Sequence, residues 1–160
     1  MSEALRIVAG GLVALVCAYI GLLIKRRYKS REKFYEQAKD YFAFFEKELT
    51  FKKTPLPEIN RQFANQNQGE FATMILQGTN VDIKKDRSLA FLKREEREQA
   101  YESMRGLGKS GYQEQLAYVK RWQAEFQDKA SKCSQENKKY GGMYFKLCVL
   151  VGIALLILIA

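Results

Sequence analysis

Two long apolar runs stand at the ends of the chain and frame a polar, charge-rich middle. The first, Ile7–Ile24, has eighteen residues without a charge. The last, Leu147–Ala160, has fourteen, and a run of eighteen begins at Met143 if Lys146 extends its ammonium back to the membrane interface. Eighteen residues make about 27 Å of helix, close to the ~30 Å hydrocarbon core of a bilayer. The pattern therefore predicts a transmembrane helix at each end of the chain.

A buried core helix is the alternative for the C-terminal run, and a secretory signal peptide is the alternative for the N-terminal one. The C-terminal run has no polar face, and Tyr140, Tyr144 and Phe145 stand where an interfacial aromatic belt is expected. A signal peptide places its basic residues before its apolar core, whereas here the basic residues follow it. Both patterns favour membrane-spanning helices.

The basic residues that flank the two runs lie on the side that faces the middle of the chain. They are Lys25, Arg26 and Arg27 after the first run, and Lys138, Lys139 and Lys146 at the second. Lys and Arg are enriched on the cytoplasmic side of membrane helices. We therefore expect a multi-pass protein of the cell membrane with its central domain in the cytosol and both termini outside.

The middle of the chain is predicted to be helical. Ser30–Leu49 is amphipathic and can continue the first span as one rod, because no Pro or Gly lies between Gly21 and Leu49. Thr54 is the expected N-cap of the next helix, with Pro55 at its first position. Further helices are expected at Phe71–Leu76 and Lys84–Arg105, and loops at Asn65–Glu70 and Gly78–Asp82.

No alternating strand pattern of useful length is present, so the fold class is all-α, a helical bundle held between two terminal transmembrane helices. The predicted domains are an N-terminal transmembrane helix at residues 1–24, a cytosolic helical domain at 25–142 and a C-terminal transmembrane helix at 143–160.

From Tyr112 onward the apolar positions alternate at spacings of four and three residues, which is a heptad seam. Its members are Tyr112, Leu116, Val119, Gln123, Phe126, Ala130, Cys133, Asn137, Tyr140 and Tyr144. We expect this seam to pack antiparallel against Phe34–Leu49 of the same chain, with Phe45 and Phe126 in the core. Pairing between two copies of the chain, and hence a homo-oligomer, is the alternative.

Composition limits the chemistry that the chain can carry. The net charge of +9 would suit nucleic acid, but much of it flanks the apolar runs, so no nucleic-acid partner is expected. The chain has no His, and its three cysteines, Cys17, Cys133 and Cys148, form no disulfide or metal-binding pattern. We therefore expect no metal and no cofactor. Trp122 is interpreted as helix packing.

The segment Gly106–Gly111 contains Gly-Lys-Ser, the end of a phosphate-binding P-loop. The full motif needs a Gly where Ser103 stands and a buried strand before it, whereas a charged helical segment precedes it here. The better interpretation is a turn between two helices, with Gly106 as the helix stop and Ser110 as the next N-cap. Glu95 and Glu96 belong to a charged run that is interpreted as a solvated helix face, with pairs such as Arg94–Glu98, so no catalytic residue is assigned.

The order of several short motifs resembles one known family. They are Thr54-Pro55-Leu56-Pro57-Glu58-Ile59 after a long amphipathic helix, Leu107-Gly108-Lys109-Ser110 followed by Gln115, and the closing series Lys139-Tyr140, Met143-Tyr144, Leu147, Gly152 and Leu155-Leu156. Together with the two apolar ends, these segments resemble the stage III sporulation protein AB family of endospore-forming bacteria.

The resemblance implies a non-enzymatic component of the channel apparatus between mother cell and forespore, in the mother-cell membrane around the forespore. It also implies a cytosolic domain similar to the F-type platform proteins of type II secretion systems. The implied partners are other channel proteins, including the cytosolic secretion-type ATPase stage III sporulation protein AA.

The resemblance brings no catalytic residue with it. For the ATPase-docking face our hypothesis is the basic group Lys84, Lys85 and Arg87, which lies off the apolar stripe. The alternative function is a membrane-tethered helical scaffold or lipid-binding protein without an ATPase partner.

Overall fold

The computed structural model describes residues 3–52, 54–78 and 89–159, and within them the side chains of residues 8–158. No strand occurs in these ranges, which confirms the all-α prediction. The helices are α1 (Glu3–Phe51), α2 (Leu56–Gln66), α3 (Glu70–Gln77), α4 (Arg94–Arg105), α5 (Tyr112–Glu136) and α6 (Gly142–Ile159), with a π-helical turn at Asn137–Gly141 between the last two.

Helix α1 is a single element of 49 residues, as the absence of helix breakers after Gly21 predicted. Its last backbone hydrogen bond on the C-terminal side runs from Lys52 N to Glu48 O, at 3.0 Å. Pro55 follows shortly after, and a residue that precedes proline is disfavoured in the α region. The break that the sequence predicted at Phe51–Thr54 is therefore confirmed.

The start of α2 differs from the prediction. Pro55 is the N-cap and Leu56 the first helical residue, so the prediction of Thr54 as N-cap was wrong by one position. The Thr54 hydroxyl instead donates to Glu48 Oε2 across the break, at 2.9 Å. The Pro55 carbonyl accepts the first hydrogen bonds of α2, from the backbone N–H groups of Glu58 and Ile59.

Two other predicted boundaries also move. Helix α2 runs to Gln66 and α3 begins at Glu70, so the loop expected at Asn65–Glu70 is shorter than predicted. Helix α4 begins at Arg94, so the prediction of helix was wrong for residues 89–93, which are not helical, while residues 84–88 lie outside the described residues. Glu96 explains this start, because its Oε2 accepts the backbone N–H of Lys93 at 2.8 Å and caps the first turn.

The seam on α5 is confirmed in its middle and wrong at its start. Val119, Phe126, Ala130 and Cys133 are buried. Tyr112 is 42 % exposed, and Gln115 and Trp122 are buried although the seam omitted them. The buried stripe rotates away from the predicted one because the first turn of α5 packs on the α4–α5 connection, where Gln115 has a polar partner.

The chain divides into two compact units. The first unit combines Met1–Ser30 with Cys133–Ala160, and the second is Arg31–Lys132. The first unit holds both apolar runs, and the second holds the predicted cytosolic bundle. The membrane boundaries predicted after residue 24 and before residue 143 stay predictions.

The second unit has a core rich in aromatic side chains. Phe42 of α1 stacks on Phe126 of α5 with ring centroids 5.4 Å apart, and Glu46 pairs with Lys120 at 3.6 Å. Higher numbers on α1 thus meet lower numbers on α5, which confirms the predicted antiparallel packing. Other core side chains are Phe34, Tyr35, Ala38, Tyr41, Phe45, Ile59, Phe63, Phe71, Met74, Ile75, Leu89, Leu92, Ala100, Tyr101, Leu107, Val119 and Trp122.

Candidate membrane anchor and docking surface

The two apolar helices of the first unit pack against each other in antiparallel register. A methyl group placed on Gly152 would lie 3.2 Å from Ala14 Cα, and one placed on Gly10 would lie 3.5 Å from Leu156 Cα. Small residues allow helix backbones to approach this closely in membranes, where packing replaces the hydrophobic effect as the source of association. Gly10 and Gly152 therefore allow the close approach of the two helices.

The outward faces of this pair are apolar and exposed. Leu15 is 69 % exposed on α1, and Leu158 is 83 % exposed on α6. Two helices of the described chain are long and apolar enough to cross a membrane, and only 11 % of each apolar window is buried inside the protein. A core helix of a soluble protein would be mostly buried. Exposed apolar side chains around a close-packed pair are the surface that lipid tails would cover.

The membrane-flanking residues predicted from the sequence are brought together in this unit. Lys25, Arg26, Arg27 and Lys146 are all exposed. The Lys25 ammonium lies 5.8 Å from the centre of the Phe145 ring, next to Lys146 in the chain. The predicted aromatic belt gains a member that the sequence analysis missed, because Tyr28 of α1 stacks on Tyr144 at 6.4 Å.

A partly buried ion pair joins two distant parts of the bundle. Arg31 of α1 donates through an Nη atom to Glu96 Oε1 of α4 at 2.6 Å, and both side chains are less than a fifth exposed. Glu96 therefore does not lie on a solvated face, as the charge run had suggested, although Arg94–Glu98 does form the predicted surface pair at 2.9 Å. Charge-assisted hydrogen bonds of this kind fix a helix start in position.

Two polar side chains of α1 are held inside the bundle. Glu48 accepts from Lys52 at 2.8 Å and from Thr54 at 2.9 Å, and these hydrogen bonds lower the pKa of its carboxyl group. The Tyr41 hydroxyl donates to Asn60 Oδ1 at 2.5 Å, and burial raises the pKa of this phenol. Each group satisfies its polar atoms through a neighbouring element, so each ties α1 to the segment around α2.

The Gly-Lys-Ser segment forms the predicted turn between two helices. Gly106 ends α4, but α5 begins at Tyr112, so the prediction of Ser110 as N-cap was wrong. The Gln115 side chain instead ties the turn to α5, since its Oε1 accepts the backbone N–H of Gly108 at 3.1 Å and the Ser110 hydroxyl at 3.2 Å. Gly108 has φ +74°, a conformation that favours glycine.

Gly106 has a packing role that the sequence did not reveal. The Tyr118 hydroxyl donates to the carbonyl oxygens of Glu102 and Ser103, at 3.1 and 3.2 Å, and lies over Gly106. A methyl group at Gly106 would stand 2.2 Å from that hydroxyl oxygen. Burial raises the pKa of Tyr118. A larger residue at Gly106 would displace the Tyr118 ring, so the available space favours glycine here; the backbone conformation, with φ −81°, does not.

A cavity of about 240 Å³ opens beside this turn in the second unit. Its apolar wall includes Leu56, Met74 and Ile75, and the exposed cations Arg105 and Lys109 belong to its rim. The hypothesised docking residues Lys84, Lys85 and Arg87 lie outside the described residues. Trp122 is 5 % exposed and stacks on Phe126 at 5.5 Å, which confirms its interpretation as helix packing.

Comparison with known proteins gives one match. No curated protein and no solved structure matches the chain. The sequence model of one family, described as stage III sporulation protein AB, matches residues 6–89 and 78–160, which together cover nearly the whole chain. The chain belongs to the stage III sporulation protein AB family.

Proposed function

We propose that this protein is a non-enzymatic membrane component of the sporulation channel between mother cell and forespore, and that its cytosolic bundle docks a secretion-type ATPase, stage III sporulation protein AA. Family membership supports a role in sporulation. The expected likeness to F-type platform proteins of type II secretion systems stays a prediction.

The observation that carries the proposal is that two helical segments each contribute residues to both units. Helix α1 and the continuous helical path from α5 through α6 each contribute an apolar segment to the first unit and core aromatics to the second. The bundle is therefore connected to the proposed membrane spans through helix at both of its ends. A cytosolic ATPase that docks on the bundle is thereby held at the membrane, which is the mechanical role that the proposal assigns.

We place the ATPase contact on basic residues of the central domain. The hypothesised contact includes Lys84, Lys85 and Arg87, which lie outside the described residues, and the described surface supplies Arg105 and Lys109 at the rim of the cavity. Exposed charges such as Arg105 and Lys109 change association rate and salt dependence more than they change folding. Their reversal therefore separates loss of docking from loss of structure.

The test is a pull-down of the full-length protein in neutral detergent against the purified ATPase at two salt concentrations. Simultaneous reversal of Lys84, Lys85 and Arg87 to Glu should weaken binding in a salt-dependent way and leave the melting temperature unchanged. Arg105→Glu/Lys109→Glu tests the cavity rim in the same assay. The matched control, Lys47→Glu/Arg61→Glu/Arg121→Glu, changes three exposed cations elsewhere on the bundle.

The two proposed functions give different outcomes. If the wild-type protein binds no ATPase under any of these conditions, the ATPase-docking role is wrong and a membrane-tethered scaffold is the function. If the ATPase binds the rim variant and the segment variant as well as it binds the wild-type protein, docking uses another face of the protein and the basic-surface assignment is wrong.

A further inference from the structure

The first unit carries a dense group of exposed cations, here called the basic cluster. Its members are Lys25, Arg26, Arg27 and Lys29 of α1, Lys138 and Lys139 of the π-helical turn, and Lys146 of α6. Residues 25–30 and 137–160 contain no Asp or Glu. Even if the flanking Glu32 and Glu136 are counted, the cluster keeps an excess of five positive charges.

Aromatic rings from both helices lie beside two cations of the cluster. Tyr28 and Tyr144 stack at 6.4 Å with their planes 10° apart, and Tyr140 lies 6.2 Å from Tyr144. The Lys25 ammonium lies over the Phe145 ring and the Lys139 ammonium over the Tyr140 ring. Rings with an apolar body and a polar tip prefer the head-group layer of a bilayer. In a bilayer that contains the two apolar helices, the cations beside these rings would lie at head-group depth.

The π-helical turn brings the second set of lysines close to α1. A methyl group placed on Gly141 would lie 3.9 Å from Tyr28 Cβ, so this turn packs directly beside α1. Lys138 and Lys139 lie within the same turn and are exposed. Single π-helical turns are frequent at functional sites. Exposed cations thus occur on both segments beside this contact.

The surface next to the basic cluster is apolar. Ile20 and Leu23 on α1, and Leu147 and Leu150 on α6, are between 44 and 62 % exposed. A ligand that satisfies both surfaces carries a negative head group and long apolar chains. Free phosphate could bind the basic cluster but has no apolar chain for the neighbouring surface. A basic surface between membrane helices on the cytoplasmic side is the known setting for anionic lipid head groups.

We propose that the basic cluster is a binding site for the head group of an anionic phospholipid, whose acyl chains lie along the exposed apolar faces of α1 and α6. The site makes the protein prefer bilayer leaflets that are rich in anionic lipid. This inference rests on the two apolar helices lying in a membrane, and it is independent of ATPase docking.

The experiment is a lipid titration of the full-length protein in neutral detergent, followed by native mass spectrometry. Phosphatidylglycerol and phosphatidylcholine with identical acyl chains are the probes, and inorganic phosphate is a third. The wild-type protein should bind phosphatidylglycerol at least about tenfold more tightly than phosphatidylcholine, since each Lys or Arg near the lipid surface adds a favourable charge contribution. Inorganic phosphate should not compete at the lipid concentrations used.

Matched variants separate a local site from general charge. Lys25→Gln/Lys138→Gln/Lys139→Gln removes three cations of the cluster and should reduce the preference to about twofold or less. Lys47→Gln/Arg61→Gln/Arg121→Gln removes the same charge from exposed positions of the second unit and should keep the full preference. Lys25→Arg/Lys138→Arg/Lys139→Arg keeps the charge and should also keep the full preference for phosphatidylglycerol. This variant shows whether substitution at these three positions disturbs the fold.

Three results would overturn the inference. The first is a wild-type protein that binds both lipids equally. The second is an equal loss of preference in the cluster variant and in its control, which would show a response to net charge alone. The third is full competition by inorganic phosphate, which would show an anion site that does not recognise lipid.

Discussion

Gly21 of α1 lies directly against Cys148 of α6. A methyl group placed on Gly21 would stand 3.0 Å from Cys148 Cβ and 3.2 Å from Phe145 Cα. The relationship has a counterpart further along the pair, where a methyl group on Gly152 would stand 3.3 Å from Cys17 Cβ. Each cysteine thus faces a glycine of the opposite helix, and the two glycine–cysteine contacts define the antiparallel register of the first unit.

The first prediction is that Cys17 and Cys148 can be cross-linked within one chain. Cys17 lies one helical turn before Gly21, and Gly21 faces Cys148. The two thiols are therefore expected about one turn apart along the helix pair, or roughly 5 Å. In a Cys133→Ala background, a short membrane-permeant linker with two thiol-reactive maleimide groups, each of which adds to one thiol, should give an internal cross-link, detected as a mass increase of one linker without dimer. A product that is mainly dimeric would contradict the intramolecular pair.

A second prediction concerns the close approach itself. Gly21→Leu should separate α1 from α6 and lower the yield of the Cys17–Cys148 cross-link, because overpacking a well-packed contact typically costs about 1–3 kcal/mol. Gly11→Leu is the matched control, since nothing lies within 4 Å of a methyl group at Gly11. The control should cross-link as the wild type does. Equal yields from both variants would argue against close packing at Gly21.

The third prediction tests the aromatic core of the bundle. Phe126 is fully buried and its ring contacts those of Phe42, Trp122 and Tyr35. Phe126→Ala should lower the free energy of unfolding by about 3–5 kcal/mol, through lost burial and the cavity left behind. If the bundle docks the ATPase, this variant should also lose binding.

The control for this core substitution is Phe51→Ala. Phe51 is 81 % exposed at the end of α1, so its truncation should change the stability by less than about 0.5 kcal/mol. Melting curves of both full-length variants in the same detergent provide the measurement. Similar melting temperatures for the two would mean that Phe126 does not carry core packing.

The fourth prediction is a pH dependence that arises from Glu48. Hydrogen bonds from Lys52 and Thr54 lower its pKa in the folded state. Its contribution to stability is therefore complete above the pKa of an unfolded glutamate, about 4.3, and is lost as the pH falls through the lower folded value. Urea unfolding curves between neutral and acid pH should show this loss.

Glu48→Gln removes the titrating group and should flatten that acid-side slope, while it lowers stability at neutral pH. Glu36→Gln removes an exposed carboxylate from the same helix and should leave the slope in place. An unchanged slope in Glu48→Gln would assign the pH dependence to other groups.

The fifth prediction is the membrane topology, with both termini outside and the bundle in the cytosol. Cys133 is only 4 % exposed, so it is a poor reporter of sidedness. A cysteine placed at the exposed Ser131 in a Cys133→Ala background is a better one. It should react with an impermeant thiol reagent only after permeabilisation, whereas a cysteine at position 2 should react in intact cells. Reaction of Ser131→Cys in intact cells would reverse the assignment.

Much of the architecture follows from the sequence because it depends on local pattern. The two apolar runs, the 49-residue helix without a breaker and the apolar stripes that carry Phe42 and Phe126 all express periodicity and composition. Helix boundaries were less predictable. Thr54 and Ser110 have good N-cap chemistry, but each hydroxyl is engaged elsewhere, by Glu48 and by Gln115.

The sequence by itself determined the helical class, the two apolar ends and the family, because spacing and residue type are properties of short segments. Only the tertiary structure decided which polar groups meet. Arg31 reaches Glu96 across 65 positions, and Tyr28 stacks on Tyr144 from the opposite end of the chain. Such contacts depend on how distant helices pack side by side, and no local periodicity encodes which side chain faces which.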